Sequence, residues 1–392
     1  MPVPVPTRFR SCGGDPRVRP QMGRAVEVRG PVGWPFRRAS GRPGASAGTW
    51  AEVSVPRDGG SAVEDSGPRA LVRRMRVVNP PMVATVLVAG AFLVAALVGL
   101  AVDTRTITGQ PAWAKPARFA FSFGLFGVTL IWLMSFVRGH GRLVSVMSWT
   151  AVVCVAVEGT GGTWAAAEGT TSHFNFSTVV SATRIGAMLV ASLVLLLIGL
   201  VTVFLLLRGR VEPPALAWAL RLGMVVTTLS MVAVYLMVQS TPAQEAAADP
   251  RPDSPYLGGM PYIGAHTVGP PDGGPGMSVS NFSTVGGDWR VPHFVGVHSL
   301  QVLCLLGLLL TLGPRMLGPR HRTALVWIAG GGCLALTGVL TWQAHRGQPF
   351  TAPDTTTGLA LTSLAVTVAM ATAAVFLHAR ATRRPSGAGR PG

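Results

Sequence analysis

The stretch that decides the fold class is residues 82–102, MVATVLVAGAFLVAALVGLAV, which carries no charged side chain. Its length matches the roughly 20 residues that a helix needs to cross a hydrocarbon core of about 30 Å. Its glycines and threonine are tolerated in lipid, because a helix satisfies its own backbone and small residues admit close neighbours. Seven further runs of this kind follow, at 117–137, 143–165, 179–207, 215–238, 293–313, 323–343 and 356–378. The pattern predicts an all-α fold, a polytopic membrane bundle of about eight transmembrane helices.

Composition agrees. Of the 392 residues, 49% are apolar and 12% charged, and the mean hydropathy is +0.44. Soluble domains carry about 25% charge, so a globule of this length lacks the polar surface to face water. An extended disordered protein is excluded on the same figures, since it requires low hydrophobicity.

The net charge of +17 matters less than its location. Residues 1–76 hold 14 Arg against 6 Asp and Glu, a balance of +8, in a Pro- and Gly-rich stretch without apolar period. It reads as a disordered tail, and Met75, directly before Arg76 and the first apolar run, would suit a short membrane-protein start. Residues 381–392 read as a second disordered basic tail, leaving 77–380 as the membrane domain. Between the spans, Arg138, Arg142, Arg208, Arg210, Arg315, Arg320, Arg322 and Arg380 fall in alternate loops. The opposite loops include an Arg-free stretch at 159–178 and an acidic loop at 239–292. By the positive-inside rule this places both termini in the cytoplasm of a bacterial inner (cell) membrane. The basic loops then face anionic lipid headgroups. No basic helix or aromatic platform points to nucleic acid; a membrane-protein partner or a second copy of the chain stays open.

Cys154, Cys304 and Cys333 lie inside apolar runs and Cys12 in the tail, with no paired spacing. They imply neither a disulfide framework nor a zinc site. The 239–292 loop is the longest. Its first half reads as linker. Its second half, with Tyr262, His266, Asp272, Asn281, Asp288 and Trp289, reads as a structured extracytoplasmic cap.

Five histidines fall on the outward side: His173, His266, His293, His298 and His345. His140, His321 and His378 sit beside arginines at the inner loop ends and read as interfacial. His298 and Gln301 share a face of span six at i, i+3. Neutral imidazole ligates haem iron, copper or zinc, or hydrogen-bonds a quinone carbonyl; equally, the two side chains tie helices together. With His173 and His345, His298 is the candidate metal or cofactor set. Glu158 in span three and Arg184 in span four are costly in lipid. They read as an ion pair between neighbouring helices or as a proton or solute site. Lys115 and Arg118 open span two against the charge bias, where a helix N-terminus already favours anions. They point to an anionic partner such as lipid phosphate, a carboxylate or haem propionates, or simply snorkel to the interface. No GxSxG, HExxH or Walker motif is present.

WAKPARFAFSF at 113–123, SHFN at 172–175, HTVGPPDGGPG at 266–276, GGDWRVPHFVGVHSLQ at 286–301 and WQAHRGQP at 342–349 together resemble an uncharacterised family of bacterial multi-pass membrane proteins of actinobacterial type. The resemblance spans roughly residues 80–350. It implies an inner-membrane protein and supplies no catalytic residues. The chain is also similar to haem A synthases in span number and orientation, but spans two and eight lack their outward histidines, so that family is not assigned.

The leading functional expectation is an outward His-lined haem, metal (copper among them) or quinone site with a redox role. The alternatives are a transporter or channel for a small polar or anionic solute, and a non-catalytic assembly or sensor protein.

Overall fold

In a computed structural model, the structure describes residues 79–382 apart from 138, 210, 250 and 313–316. The N-terminal tail, Cys12, most of the C-terminal tail and several loop arginines (Arg73, Arg74, Arg76, Arg138, Arg210, Arg315, Arg383 and Arg384) lie outside the described residues. Eight helical segments are long and apolar enough to cross a membrane, as the hydropathy runs predict. The chain order is α1 (Pro80–Val102), β1 (Thr106–Ile107), β2 (Gln110–Pro111), α2 (Ala114–Met134), α3 (Gly141–Glu168) and α4 (Val179–Arg208). Then come α5 (Pro214–Ser230), α6 (Val232–Met237), α7 (Pro242–Ala246), β3 (Thr267–Val268), β4 (Gly287–Asp288), α8 (Arg290–Leu312), α9 (Pro319–His345) and α10 (Thr355–Ala381). Helices α5 and α6, broken only at Met231, make the fifth crossing.

Helix ends follow local chemistry. Asn79 caps α1 by accepting from Met82 N at 3.2 Å, with Pro80 and Pro81 in the first turn, where no amide partner is needed. Asp354 caps α10 through Thr357 N at 2.7 Å. α3 stops at Gly169, whose φ of 77° is the left-handed conformation that closes a helix C-terminus.

Helix α1 packs against α2 and α3, α4 against α3 and α5, and α5 against α8 and α9, while α10 lies against α9. The α5–α8 seam is made by small residues. A Cβ on Gly223 would sit 2.9 Å from Leu300 Cδ1 and 3.0 Å from Leu300 Cα. One on Gly307 would lie 2.6 Å from Ala219 Cβ, and one on Gly296 would collide with Ser230. Lipid supplies no hydrophobic force between helices, so close backbone approach of this kind carries the packing. In the Gly330–Gly332 run, Gly330 packs on Leu222 of α5 and Gly332 faces Val368 of α10, while a Cβ at Gly331 meets nothing within 4 Å. Outermost, α10 keeps Leu359, Val366 and Met370 exposed, an apolar face suited to lipid.

The loops after α1, α3, α6 and α9 meet at one end of the bundle. Asn175 bridges Tyr262, Phe176 N donates to the Pro261 carbonyl at 2.7 Å and Ile263 N to the Phe174 carbonyl at 3.0 Å. β3 pairs antiparallel with β4, and a Cβ on Gly287 would strike the Ala344 carbonyl. The first half of the long loop, expected as linker, is folded back onto the rest. α7 opens with a Thr241–Gln244 capping box, and the Gln244 amide both accepts from Gly264 N at 3.0 Å and donates to its carbonyl at 2.9 Å.

The α5–α8 seam makes a direct forecast. Gly296→Val is expected to lower stability by about 1–3 kcal/mol, the usual cost of overpacking, whereas Gly331→Ala leaves it unchanged. Thermal unfolding of the detergent-purified variants reads the difference, and equal midpoints would contradict the seam.

Candidate functional site

The four loops enclose a cavity of about 1230 Å³ at their end of the bundle. Its walls come from β1–β2 and the start of α2, the end of α3 and the loop after it, the cap, and Trp289 with His345. Of the candidate cofactor residues read from sequence, Lys115, His173 and His345 line this cavity, together with His266, Tyr262, Asp272 and Trp289 of the cap reading.

The polar centre of the cavity is a chain of three side chains. His266 Nδ1 lies 2.5 Å from Asp272 Oδ2, and His266 Nε2 lies 3.3 Å from Lys115 Nζ. The local sequence folds Asp272 back on its own histidine: His266-Thr-Val-Gly-Pro-Pro-Asp272 turns through Gly269, whose φ is +97°. Asp272 Oδ1 then accepts from His266 N at 3.0 Å, Thr267 N at 3.0 Å and the Thr267 hydroxyl at 2.8 Å. Burial pushes the Asp272 carboxyl up, but the bonds from His266 and Thr267 outweigh it and hold the group below the usual carboxylate range. An ionised Asp272 accepts a hydrogen bond from Nδ1–H of the neutral imidazole, which leaves Nε2 as an acceptor towards the Lys115 ammonium. Burial, with the Lys115 charge beside it, brings His266 down to about 4, so it is neutral at physiological pH. Phe174 packs edge-on to its ring at 4.8 Å.

His173 sits across from this chain, with Ser172 Oγ 2.8 Å from its Nδ1 and its ring 5.9 Å from that of Phe119. Burial and the nearby Lys115 and His266 hold it well below the ordinary histidine value. His345 is exposed at the rim, 5.9 Å from Trp289.

The other sequence candidates lie elsewhere. Arg118 points to the cap instead of the cavity: its guanidinium donates to the Val279 carbonyl at 2.6 Å and to Gln110 Oε1. It is a clasp between α2 and the cap. His298 is outside the cavity walls, its ring 4.4 Å from Phe294 on its own helix. The Gln301 side chain turns back on its own helix, where its amide nitrogen donates to the Val297 and His298 carbonyls at 3.2 Å. The metal set His173, His298 and His345 is therefore not brought together. Among the described residues no group of three or more His, Cys, Asp or Glu is placed to hold a metal ion. The His266 lone pair is turned towards a cation, which opposes metal binding there.

The expected Glu158–Arg184 pair is not formed. Arg184 donates to Glu168 Oε2 at 2.6 Å, and Trp164 Nε1 donates to Glu168 Oε1 at 2.7 Å. Glu158 Oε1 instead accepts from the Ser192 hydroxyl at 2.6 Å. Depth explains the exchange. Glu158 lies ten residues back along α3 from Glu168, about 15 Å at 1.5 Å per residue. Arg184, in the second turn of α4, is level with the C-terminal end of α3; Ser192, two turns further along α4, is level with Glu158.

Asp272 was read only as part of the cap, and His266 as one of the outward histidines within it. Their partnership had a local signal, a Gly-Pro-Pro turn returning a carboxylate to a histidine six residues earlier; the contact with Lys115, 151 residues away, had none. Comparison of the chain with family models, curated proteins and solved structures found no match, so its function is read from its own geometry.

Two outcomes are expected. The Arg184 side chain is 3% exposed, so Glu168→Gln leaves a buried guanidinium without its carboxylate and costs about 1–3 kcal/mol. Glu158→Gln, which breaks no ion pair, costs less; the reverse ranking in thermal unfolding would restore the Glu158–Arg184 pair. As pH falls from 6.5 towards 4, the unfolded chain binds a proton that folded His266 refuses. Stability therefore drops over that window by up to about 1.4 kcal/mol per pH unit for this group. His266→Asn flattens the pH dependence of the unfolding midpoint, and an unchanged slope would show that His266 is not its source.

Proposed function

We propose that this is a multi-pass protein of a bacterial cell membrane, with both termini cytoplasmic and the looped end outside. On this reading the outer cavity binds an amphiphilic small molecule whose head is an oxygen acceptor: a carboxylate, a phosphate or a quinone carbonyl. The observation that carries this is Lys115. It is the single lysine of the chain, it opens a membrane-spanning helix, and it lies at the cavity wall with one acceptor, His266 Nε2, supplied by the protein. An ammonium has three donors, so a bound oxygen completes its coordination by a charge-assisted bond, which is stronger than a neutral one. The cavity volume exceeds the 300–1,000 Å³ usual for small-ligand sites, which leaves room for an apolar chain beyond the head. Phe174, Leu236, Met260 and Trp289 supply apolar wall for it.

Of the redox cofactors expected from sequence, a quinone belongs to this class. A haem or copper site finds less support, because His298 stands apart from His173 and His345. Transport of a small anion is the second reading, favoured by the buried Glu158 beneath the same cavity; it adds the requirement that uptake into liposomes depend on Lys115.

The test is equilibrium binding to the full chain in nanodiscs, using a short-chain quinone and a medium-chain carboxylate as probes and intrinsic tryptophan fluorescence, to which the wall residue Trp289 contributes, as the readout. Saturable binding of at least one is expected, weakened about tenfold or more by Lys115→Met, the loss of one charge-assisted hydrogen bond. Failure of both probes to bind, or equal binding by Lys115→Met, overturns the reading.

A further inference from the structure

Beneath the outer cavity lies a second hollow of about 20 Å³, enclosed between α1, α2, α3 and α4. That is room for one water, which needs about 10–15 Å³ measured this way. The two hollows share Lys115, Pro116, Gly162, Ser172 and His173 as walls, and Glu158 lines the inner one alone. Glu158 is 3% exposed. Its Oε1 is engaged by Ser192, while its Oε2 is buried without a hydrogen-bond partner. A buried carboxyl oxygen with no donor is costly, and intramembrane carboxyls of this kind mark ion and proton pathways.

We propose that Glu158 is a proton-exchanging site of the outer face. A water in the inner hollow joins Oε2 to the outer cavity past Lys115, Ser172 and His173. The proton leaves the carboxyl for that water and passes to solvent in the outer cavity; uptake runs in reverse. The groups that face Glu158 are Lys115 from α2, His173 from the loop after α3, Ser192 from α4, and Cys154 and Thr163 from its own helix. Among them Lys115 is the one amine, and it is a wall of both the outer cavity and the inner hollow. Protonation of Glu158 would then alter the field at the lysine that the ligand reading employs, although the proton site stands without any ligand.

Infrared difference spectroscopy on the full chain in nanodiscs tests this, with buffer exchanged between about pH 5 and about pH 9. The expected result is a protonated-carboxyl stretch that grows on acidification, shifts in D₂O, is lost in Glu158→Gln and persists, displaced, in Glu158→Asp. Gly162 is wall to both hollows and a Cβ there meets nothing within 4 Å, so Gly162→Leu extends a side chain into the passage. It should keep the band and slow its deuterium exchange several-fold. The proposal is overturned if no carboxyl band depends on Glu158 over this range, or if Gly162→Leu exchanges as fast as the unaltered chain. Neither result bears on ligand binding, which is scored with Lys115→Met.

Discussion

A lysine ammonium buried where a membrane helix begins, away from the headgroups, has to be given oxygen or nitrogen acceptors, because hydrocarbon offers none. Here the acceptor is an imidazole nitrogen, and an imidazole accepts at one nitrogen only while it is neutral and protonated at the other. Asp272 enforces that state by holding Nδ1–H of His266 while collecting two backbone amides and the Thr267 hydroxyl. The cap is thus ordered around the same carboxylate that sets the histidine tautomer. The order extends through β3 to β4, to Trp289 and to the start of α8, so a requirement at one side chain is met by structure spread over the long loop.

Charge elsewhere in the cap follows the same logic of local closure. Asp288, fully buried, is held by Arg290 Nη2 at 2.5 Å and by Ser283 N at 2.8 Å, and Arg290 also donates to the Asn281 carbonyl. Asp103 accepts from Arg105 and from Trp113 Nε1 at 2.8 Å, which holds its carboxyl below the ordinary range and pins the indole against Gly99. Each carboxylate is matched within a few residues by an arginine. Lys115 departs from this habit: its partners come from the cap, far along the chain.

That contrast decides what the sequence disclosed. Membrane crossing depends on about 20 consecutive apolar residues, a local property, and the eight hydropathy runs coincide with the eight long helices. Lys115 stood out because it broke the charge bias, and it does face the cavity. The failures were matters of register. Apolar periodicity does not say how deep a residue sits relative to its neighbour on the next helix, so Arg184 was matched to Glu158 although Glu168 is level with it. The weight placed on His298 came from its depth in a span. Depth alone does not distinguish a residue facing a cavity from one packed against a neighbour on its own helix, as His298 is against Phe294.

The cavity walls run from Ile107 to His345, so the site is written across nearly the whole membrane domain. A chain made from its N-terminus inserts α1 to α4 before the cap exists. At that stage Lys115 lacks the His266 imidazole, and Arg118 has no Val279 carbonyl to hold. The first four helices must therefore survive in the bilayer with both cations dependent on water and headgroups. The pocket closes only when Trp289 and then His345 arrive. During biogenesis the site is consequently a late assembly product, complete only in a chain whose seventh crossing is already in place.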